Sequence, residues 1–559
     1  MAKVGVGRKT ARQAVELATV SHPKVGHQGG RMYEIKDPID RLLHTIGGGF
    51  FNELTYYGGP DQEGVTESAA ALLSTMREAA QSAPEDFFCV LSWARDALKL
   101  RTTTEVGLAV AAGIQESKPF VRRYAPKILT RLDQVRSCFA AWRELHQRDG
   151  ARHKGTLPHC LCDAFGVRLS KATEAEILKY DGLVPPTLKD VLLMIRRDGA
   201  FVKKELFDWI VNGKVTELAK LPAIRARRRF NLATDIEEAL PWAEKSYVTW
   251  EALFLRFGQS EHKRRLWEWL IQKDRLPYMA MLRKLRNISQ AGVSDQLKWP
   301  VCAALASPKL IANSKQLPFR FYSAYRELEA ISDQMFMSTT EKALDLSCSN
   351  LTPLGGSSLV LVDLSDSMTS FVSSRSKMTC RDVAHVLAGI LARTQGTETR
   401  IVGFATTFEG IPITDSMSVI QVAEKIGRVN VGGSTVPGPA LQAEVMAGRR
   451  YSRIVILSDQ CCYTMSNFNF SYGRAASTIS LPEVLEGYRR RGCDPFVYSV
   501  NLSGDSQGSQ ADPRNPKVCL VSGFSERIFD LMRQFEGGEE GEENLPVIEQ
   551  LRAKYKIKD

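Results

Sequence analysis

The chain has 559 residues, 44% apolar and 25% charged, which is too long for one hydrophobic core and apolar enough to build two or more. Its formal charge of +11 lies wholly before Leu354, where 52 basic residues face 40 acidic ones; from Leu354 onward 22 face 23. This composition is that of a soluble globular protein, and no run of 18 apolar residues or N-terminal apolar leader points to a membrane or to secretion.

Residues 1–37 hold Gly, Lys, Arg and His with little periodicity and predict a flexible basic arm. Over 38–353 apolar residues recur at helical spacing, as in Glu67-Ser-Ala-Ala-Ala-Leu-Leu-Ser-Thr-Met76, and the breaks are short and carry Gly or Pro. So many helices without strands predict a bundle or a solenoid of helical pairs with an extended surface. Its basic clusters include Arg122-Arg123, Arg196-Arg197, Lys203-Lys204, Arg225-Ala-Arg-Arg-Arg229, Lys263-Arg-Arg265 and Arg283-Lys-Leu-Arg286. Any one of them is an ordinary solvated helix face. Together, carrying the whole net charge, they predict a polyanion partner, RNA or DNA, held with strong salt dependence.

After Leu351-Thr-Pro-Leu-Gly-Gly356 strand-like and helical runs alternate through residue 535. Leu359–Leu364, Cys380–Thr394, Arg400–Phe404, Val419–Val429, Arg453–Leu457, Leu481–Arg491, Pro495–Asn501 and Arg527–Phe535 predict a doubly wound parallel sheet over 354–535. Residues 536–559 read as an acidic Gly-rich linker and a tail. Eleven cysteines without disulfide-like spacing predict free thiols in a reducing, cytoplasmic setting.

The run Ser358-Leu-Val-Leu-Val-Asp363 ends in Asp363-x-Ser365-x-Ser367, at the strand end where open α/β sheets place ligands. Two later loops add Thr435, in Val431-Gly-Gly-Ser-Thr-Val-Pro-Gly438, and Asp459, closing Arg453-Ile-Val-Ile-Leu-Ser-Asp459. Carboxylates and neutral hydroxyls suit a hard divalent cation such as Mg2+. The five have the order of a metal-ion-dependent adhesion site and resemble the von Willebrand factor A fold, which implies an open metal position for an acidic group of a protein ligand. Helix caps and turns would use the same residue types. Enzyme readings fare worse. Position 365 lacks the second Asp of a haloacid-dehalogenase phosphatase, and no phosphate-binding G-x-x-x-x-G-K-[ST] occurs. His153, His159, Cys160 and Cys162 are spaced poorly for zinc.

Further motifs carry a family resemblance: Asp40-Arg-Leu-Leu-His-Thr-Ile-Gly-Gly-Gly49 with Leu54-Thr-Tyr-Tyr57, Lys179-Tyr180, Leu188-Lys-Asp-Val-Leu192, Leu276-Pro-Tyr-Met-Ala-Met-Leu-Arg-Lys-Leu285, Leu317-Pro-Phe319 and Ala343-Leu-Asp345. In this order, with the metal loops, they resemble the TROVE module and von Willebrand factor A domain of the Ro ribonucleoprotein autoantigen family. The resemblance implies a monomeric ring of HEAT-like helical pairs closed by the A domain. It also implies a non-enzymatic protein that binds Y-type small RNA and single-stranded 3′ ends of misfolded or precursor RNAs beside an exoribonuclease. Lys179, Arg196 and Arg197 map onto the family's RNA-contacting region, with Arg196 where the family has histidine. Arg122, Arg123, Lys203, Arg227 and Arg228 complete the candidate RNA contacts. Asp363, Ser365, Ser367, Thr435 and Asp459 match the family's metal positions.

Overall fold

The computed structural model describes residues 24–25, 31–32, 37–47, 67–148, 157–180, 185–195, 204–213, 221–259, 261–351, 353–372, 378–395, 398–460, 480–503, 511–512, 515–523, 527–536 and 547–558. They form two compact units, one built from 1–75, 311–325 and 340–554, the other from 76–310, 326–339 and 555–559. The fold class is α plus α/β, as the two textures of the sequence predict.

The helical unit is a succession of short amphipathic helices, among them Pro84–Asp96, Thr102–Ala112, Lys118–Ile128 and Leu132–Arg148. Their apolar residues, such as Phe87, Phe88, Val121 and Phe139, are buried against neighbouring helices. Helix ends and the loops between them leave carbonyls without intrahelical donors, and here arginines from adjacent helices take them. Arg95 donates to Ile128 O (3.1 Å), Arg168 to Thr130 O (3.1 Å), and Arg136 to Tyr180 O (2.7 Å) and Pro186 O (2.8 Å). Arg256 donates to Ala233 O (2.6 Å) and Arg275 to Glu244 O (3.0 Å). A guanidinium at a helix C-terminus satisfies the carbonyl and meets the negative end of the dipole. Part of the basic charge therefore serves helix packing. The tail, which the sequence leaves open between helix and coil, forms the helix Val547–Tyr555. Tyr555 donates to Asp96 (3.0 Å), and the Ile557 N–H donates to the Tyr124 hydroxyl (3.0 Å).

The α/β unit holds a six-stranded sheet: β1 (Ser358–Asp363), β2 (Thr399–Phe404), β3 (Phe408–Ile411), β4 (Arg453–Ser458), β5 (Phe496–Asn501) and β6 (Val518–Ser522). Their order is β3-β2-β1-β4-β5-β6, with β3 antiparallel and the rest parallel. β1 and β4 are buried at every position, as continuous apolar runs between two layers of helices require. The chain moves outward from β1 to β2 and β3, then returns to the other side as β4. The crevice between β1 and β4 is thus the switch point where such sheets bind ligands. The sequence reading misses β3, β6 and the helix Gly438–Met446. Strand β3, Phe408-Glu-Gly-Ile411, is a four-residue edge strand whose glycine breaks the alternation.

Two outlying segments complete this unit. The helix Pro38–Gly47 packs on β6, with His44 Nδ1 3.5 Å from Cys519 Sγ. Asp345 accepts from the Val419 N–H (2.9 Å) at the start of the helix Val419–Gly427, and Glu341 accepts from the hydroxyl of its N-cap, Ser418 (2.6 Å). Asp345 of the Ala-Leu-Asp motif therefore has a structural task at a helix N-terminus.

Candidate functional site

Asp363 ends β1 with its carboxylate fully buried. Its Oδ1 accepts the Ser365 N–H at 2.9 Å, and its Oδ2 accepts the Ser458 hydroxyl at 2.6 Å. Burial pushes its pKa up, donation by Ser365 and Ser458 pulls it down, and the nearby negative charge of Asp459 raises it again, leaving it at about 6. The Ser365 and Ser367 hydroxyls lie 3.2 Å apart. Backbone contacts draw the Gly-rich loop to the first: the Asp366 N–H donates to Gly433 O (3.2 Å), and Val436 N–H to Ala405 O at the end of β2 (3.1 Å). Gly433 lacks a Cβ where Asp366 lies, since a Cβ there would collide with the Asp366 carboxylate. Thr435 in that loop is buried, as is Asp459 just beyond β4. All five predicted residues thus lie at one edge of the sheet.

The sequence reading misses two supports of this edge. Ser458 holds Asp363 Oδ2 and also accepts the Gln460 N–H at 3.0 Å. The signal is its place in Leu-Ser-Asp459, where the strand's last side chain faces the end of β1. Arg381, on the helix Cys380–Gln395, donates to Leu364 O (3.1 Å) and Ser365 O (2.9 Å) and so fixes the first loop from behind. Nothing in the sequence singles it out.

The donor set tests well against a divalent cation. Asp363 is a buried carboxylate whose described hydrogen bonds come from neutral groups, and hydroxyl oxygens surround it. Among the described residues no group of three or more His, Cys, Asp or Glu is placed to hold a metal. A cation at this edge would therefore rest on aspartate and hydroxyl oxygens, the chemistry of Mg2+ rather than of zinc. Cys160 and Cys162 are buried thiols of the helix His159–Leu169, in no disulfide among the described residues, and Cys162 Sγ donates to Leu157 O (3.6 Å).

The candidate RNA contacts divide. Arg196, Arg197 and Lys203 lie outside the described residues. Lys179 is exposed, its ammonium 5.1 Å from the Tyr180 ring centre. Arg122 is exposed and paired with Asp163 at 2.8 Å. Arg123 lies over the Phe120 ring (5.6 Å) and reaches Ile557 O (3.5 Å). Arg227 turns inward: it donates to Ser246 O (3.2 Å) and Leu178 O (3.4 Å), its Nε is buried without a partner among the described residues, and burial lowers its pKa. Arg228 is held over the Trp209 ring at 5.2 Å. Of the other clusters, Arg264 pairs with Glu268, Arg265 with Glu237 and Arg286 with Glu327.

Comparison with known proteins agrees with this architecture. The TROVE domain model matches residues 245–391, and the Ro60 vWA domain model matches 358–536. Telomerase protein component 1 of Mus musculus is 25% identical over 317 residues, 48% of this chain but only 12% of that protein. Its Rattus norvegicus counterpart is 24% identical over 304 residues, 45% of this chain and 11% of that protein. The crystal structure of the Deinococcus radiodurans RO (RSR) protein has the same fold, with TM-score 0.63 and 17% identity over 89% of this chain and 99% of that one. The chain thus carries a TROVE match followed by a Ro60 vWA match, the order that its sequence resemblance to the Ro family implies.

Proposed function

We propose that this protein is a non-enzymatic RNA-binding protein of the Ro type. In this reading its helical unit binds Y-type small RNA and the single-stranded 3′ ends of misfolded or precursor RNAs, delivering them for quality control or maturation by an exoribonuclease. The observation that carries it is the division of charge within a chain that matches the TROVE and Ro60 vWA domains. The excess of basic residues belongs to the part before Leu354, while the α/β part is near neutral. Contacts of arginine and lysine with phosphates read backbone and shape rather than base sequence.

In the same proposal Asp363, Ser365, Ser367, Thr435 and Asp459 hold Mg2+, which when bound supplies a coordination position for an acidic group of a protein ligand. The chain's own part is to fix the oxygens: Ser458 and the Ser365 N–H orient the Asp363 carboxylate, and Arg381 anchors the loop behind it. Filter binding with a hairpin RNA carrying a single-stranded 3′ tail tests the reading. Affinity is expected at low salt, with a steep fall as salt rises. Asp363→Ala is expected to leave that affinity intact. No binding at low salt would overturn the RNA reading, and loss of RNA affinity in Asp363→Ala would move the RNA contact to the metal edge.

A further inference from the structure

The helix Pro222–Leu232 carries the run Arg225-Ala-Arg-Arg-Arg229, and its buried face is Ala223, Ile224, Ala226 and Phe230. The four arginines therefore take different directions. Arg227 is committed to the carbonyls of Leu178 and Ser246. Arg225 and Arg229 are exposed, one turn apart, with no carboxylate in ion-pair reach among the described residues. Arg283 shares this state among the described residues, whereas the exposed arginines 122, 264, 286 and 326 each hold an aspartate or glutamate. Like charges one turn apart oppose helix formation. A local rule broken without a compensating partner marks a position kept for something else.

Arg228 lies between them and is prearranged. Its guanidinium sits over the Trp209 indole at 5.2 Å and donates to Gly213 O at 3.2 Å. Trp209 stands in a π-helical turn, Asp208–Asn212, closed by Gly213 at φ 65° in the left-handed region. Such turns are rare and are frequent at functional sites. Only Gly takes this backbone conformation without strain, and it brings the accepting carbonyl to Arg228.

We propose that the outer face of this helix, Arg225 and Arg229 flanking the Arg228–Trp209 stack, is a contact surface for the sugar–phosphate backbone of RNA. It rests on the RNA-binding reading above and names where on the helical unit contact is made. Guanidinium forks match phosphate oxygens two at a time. A stacked Arg–Trp pair offers a planar platform for an unpaired base, which an acidic peptide would not use.

The test uses the full chain and a hairpin RNA with a single-stranded tail, titrated over a range of salt. Each phosphate contact contributes a slope of about −0.7 in log K against log salt for single strands, so two contacts account for about 25-fold in affinity between 1 M and 0.1 M salt. Arg225→Gln/Arg229→Gln is expected to lower affinity by about that factor at 0.1 M and to flatten the slope by about 1.4. Arg326→Gln/Arg428→Gln removes two charges from paired positions on other helices and is expected to keep the wild-type slope. Thermal melting checks folding, and both double variants are expected to melt like wild type because all four side chains are at the surface. If wild type binds and the 225/229 variant binds with the same slope, this inference falls while the RNA reading stands. If wild type fails to bind, the RNA reading falls and this inference with it. Equal affinity of this face for a poly-glutamate decapeptide would overturn the assignment to RNA.

Discussion

His385 sets a pH dependence that can be worked out from its surroundings. It lies on the helix Cys380–Gln395 with 8% of its surface exposed, its ring against Gly427, and its Nε2 buried without a hydrogen-bond partner among the described residues. Burial holds the imidazole neutral, Asp382 pulls the other way, Arg381 adds to the burial, and the pKa falls to about 4. The folded pKa is depressed below the unfolded value of about 6.5, so the unfolded chain takes up the proton first as pH falls. Nothing is lost above pH 6.5, and stability declines from there toward pH 4. At pH 5 the difference amounts to about 1.5 units at ~1.36 kcal/mol each, or about 2 kcal/mol. Urea unfolding of wild type and His385→Leu at pH 7.5 and pH 5 measures it. The variant is expected to match or slightly exceed wild type at pH 7.5 and to exceed it by about a further 2 kcal/mol at pH 5. Asp363, raised to about 6, works with the opposite sign over the same range, and His44, lowered to about 4, with the same sign. Both are present in both proteins and drop out of the difference. A difference that does not change with pH would show that His385 is already protonated or solvated in the fold, and the argument from burial would fail.

Ser458→Ala is expected to cost roughly 1.5–3 kcal/mol in the same urea assay at pH 7.5, because it leaves one oxygen of a buried carboxylate without its donor. A loss under about 0.5 kcal/mol would mean that water reaches Asp363. Arg453 is 1% exposed and binds Glu536 (2.8 Å), the Ser358 hydroxyl (2.9 Å) and Gly355 O. Glu536 also accepts from the Tyr498 hydroxyl at 2.9 Å. Arg453→Met strands Glu536 and is expected to cost about 3–5 kcal/mol, whereas Arg453→Met/Glu536→Leu should recover most of it. Simple additivity of the two single losses would show that the pair is not coupled.

The α/β half was legible because its signals are local. Apolar runs such as Leu359–Val362 and Arg453–Leu457 have few foldings open to them, and the oxygen-bearing residues follow those strands directly. Ser458 had only its place at the end of β4 to mark it, since it acts on a residue 95 positions away, and Arg381, which reaches back from the next helix to the loop, carries no pattern of its own. Strand β3 and the helix Gly438–Met446 are short and carry Gly or Pro, so periodicity has too few residues to work on. The helical half was legible as helices. What the arginines do there was not, because a side chain that reaches a carbonyl on the next helix looks in sequence like one that reaches solvent.

That ambiguity decides how the +11 charge should be read. Counting basic clusters treats Arg225 to Arg229 as one unit, yet the helix sends Arg227 inward to carbonyls and leaves Arg225 and Arg229 outside. The same division runs through the array, where Arg95, Arg136, Arg168, Arg256 and Arg275 close helix ends and loops, and Arg264, Arg265 and Arg286 meet carboxylates. A guanidinium held on a buried carbonyl is not available to release a counterion from a phosphate, so it adds nothing to the salt dependence of binding. An exposed ion pair is weak enough, at about 0–1 kcal/mol, to open for a phosphate. The salt slope of RNA binding should therefore report the exposed cations alone and fall well short of the number of basic residues in the helical unit. A slope that approached that number would mean that the helix-end arginines leave their carbonyls on binding, and the helical unit would then have to rearrange around its RNA.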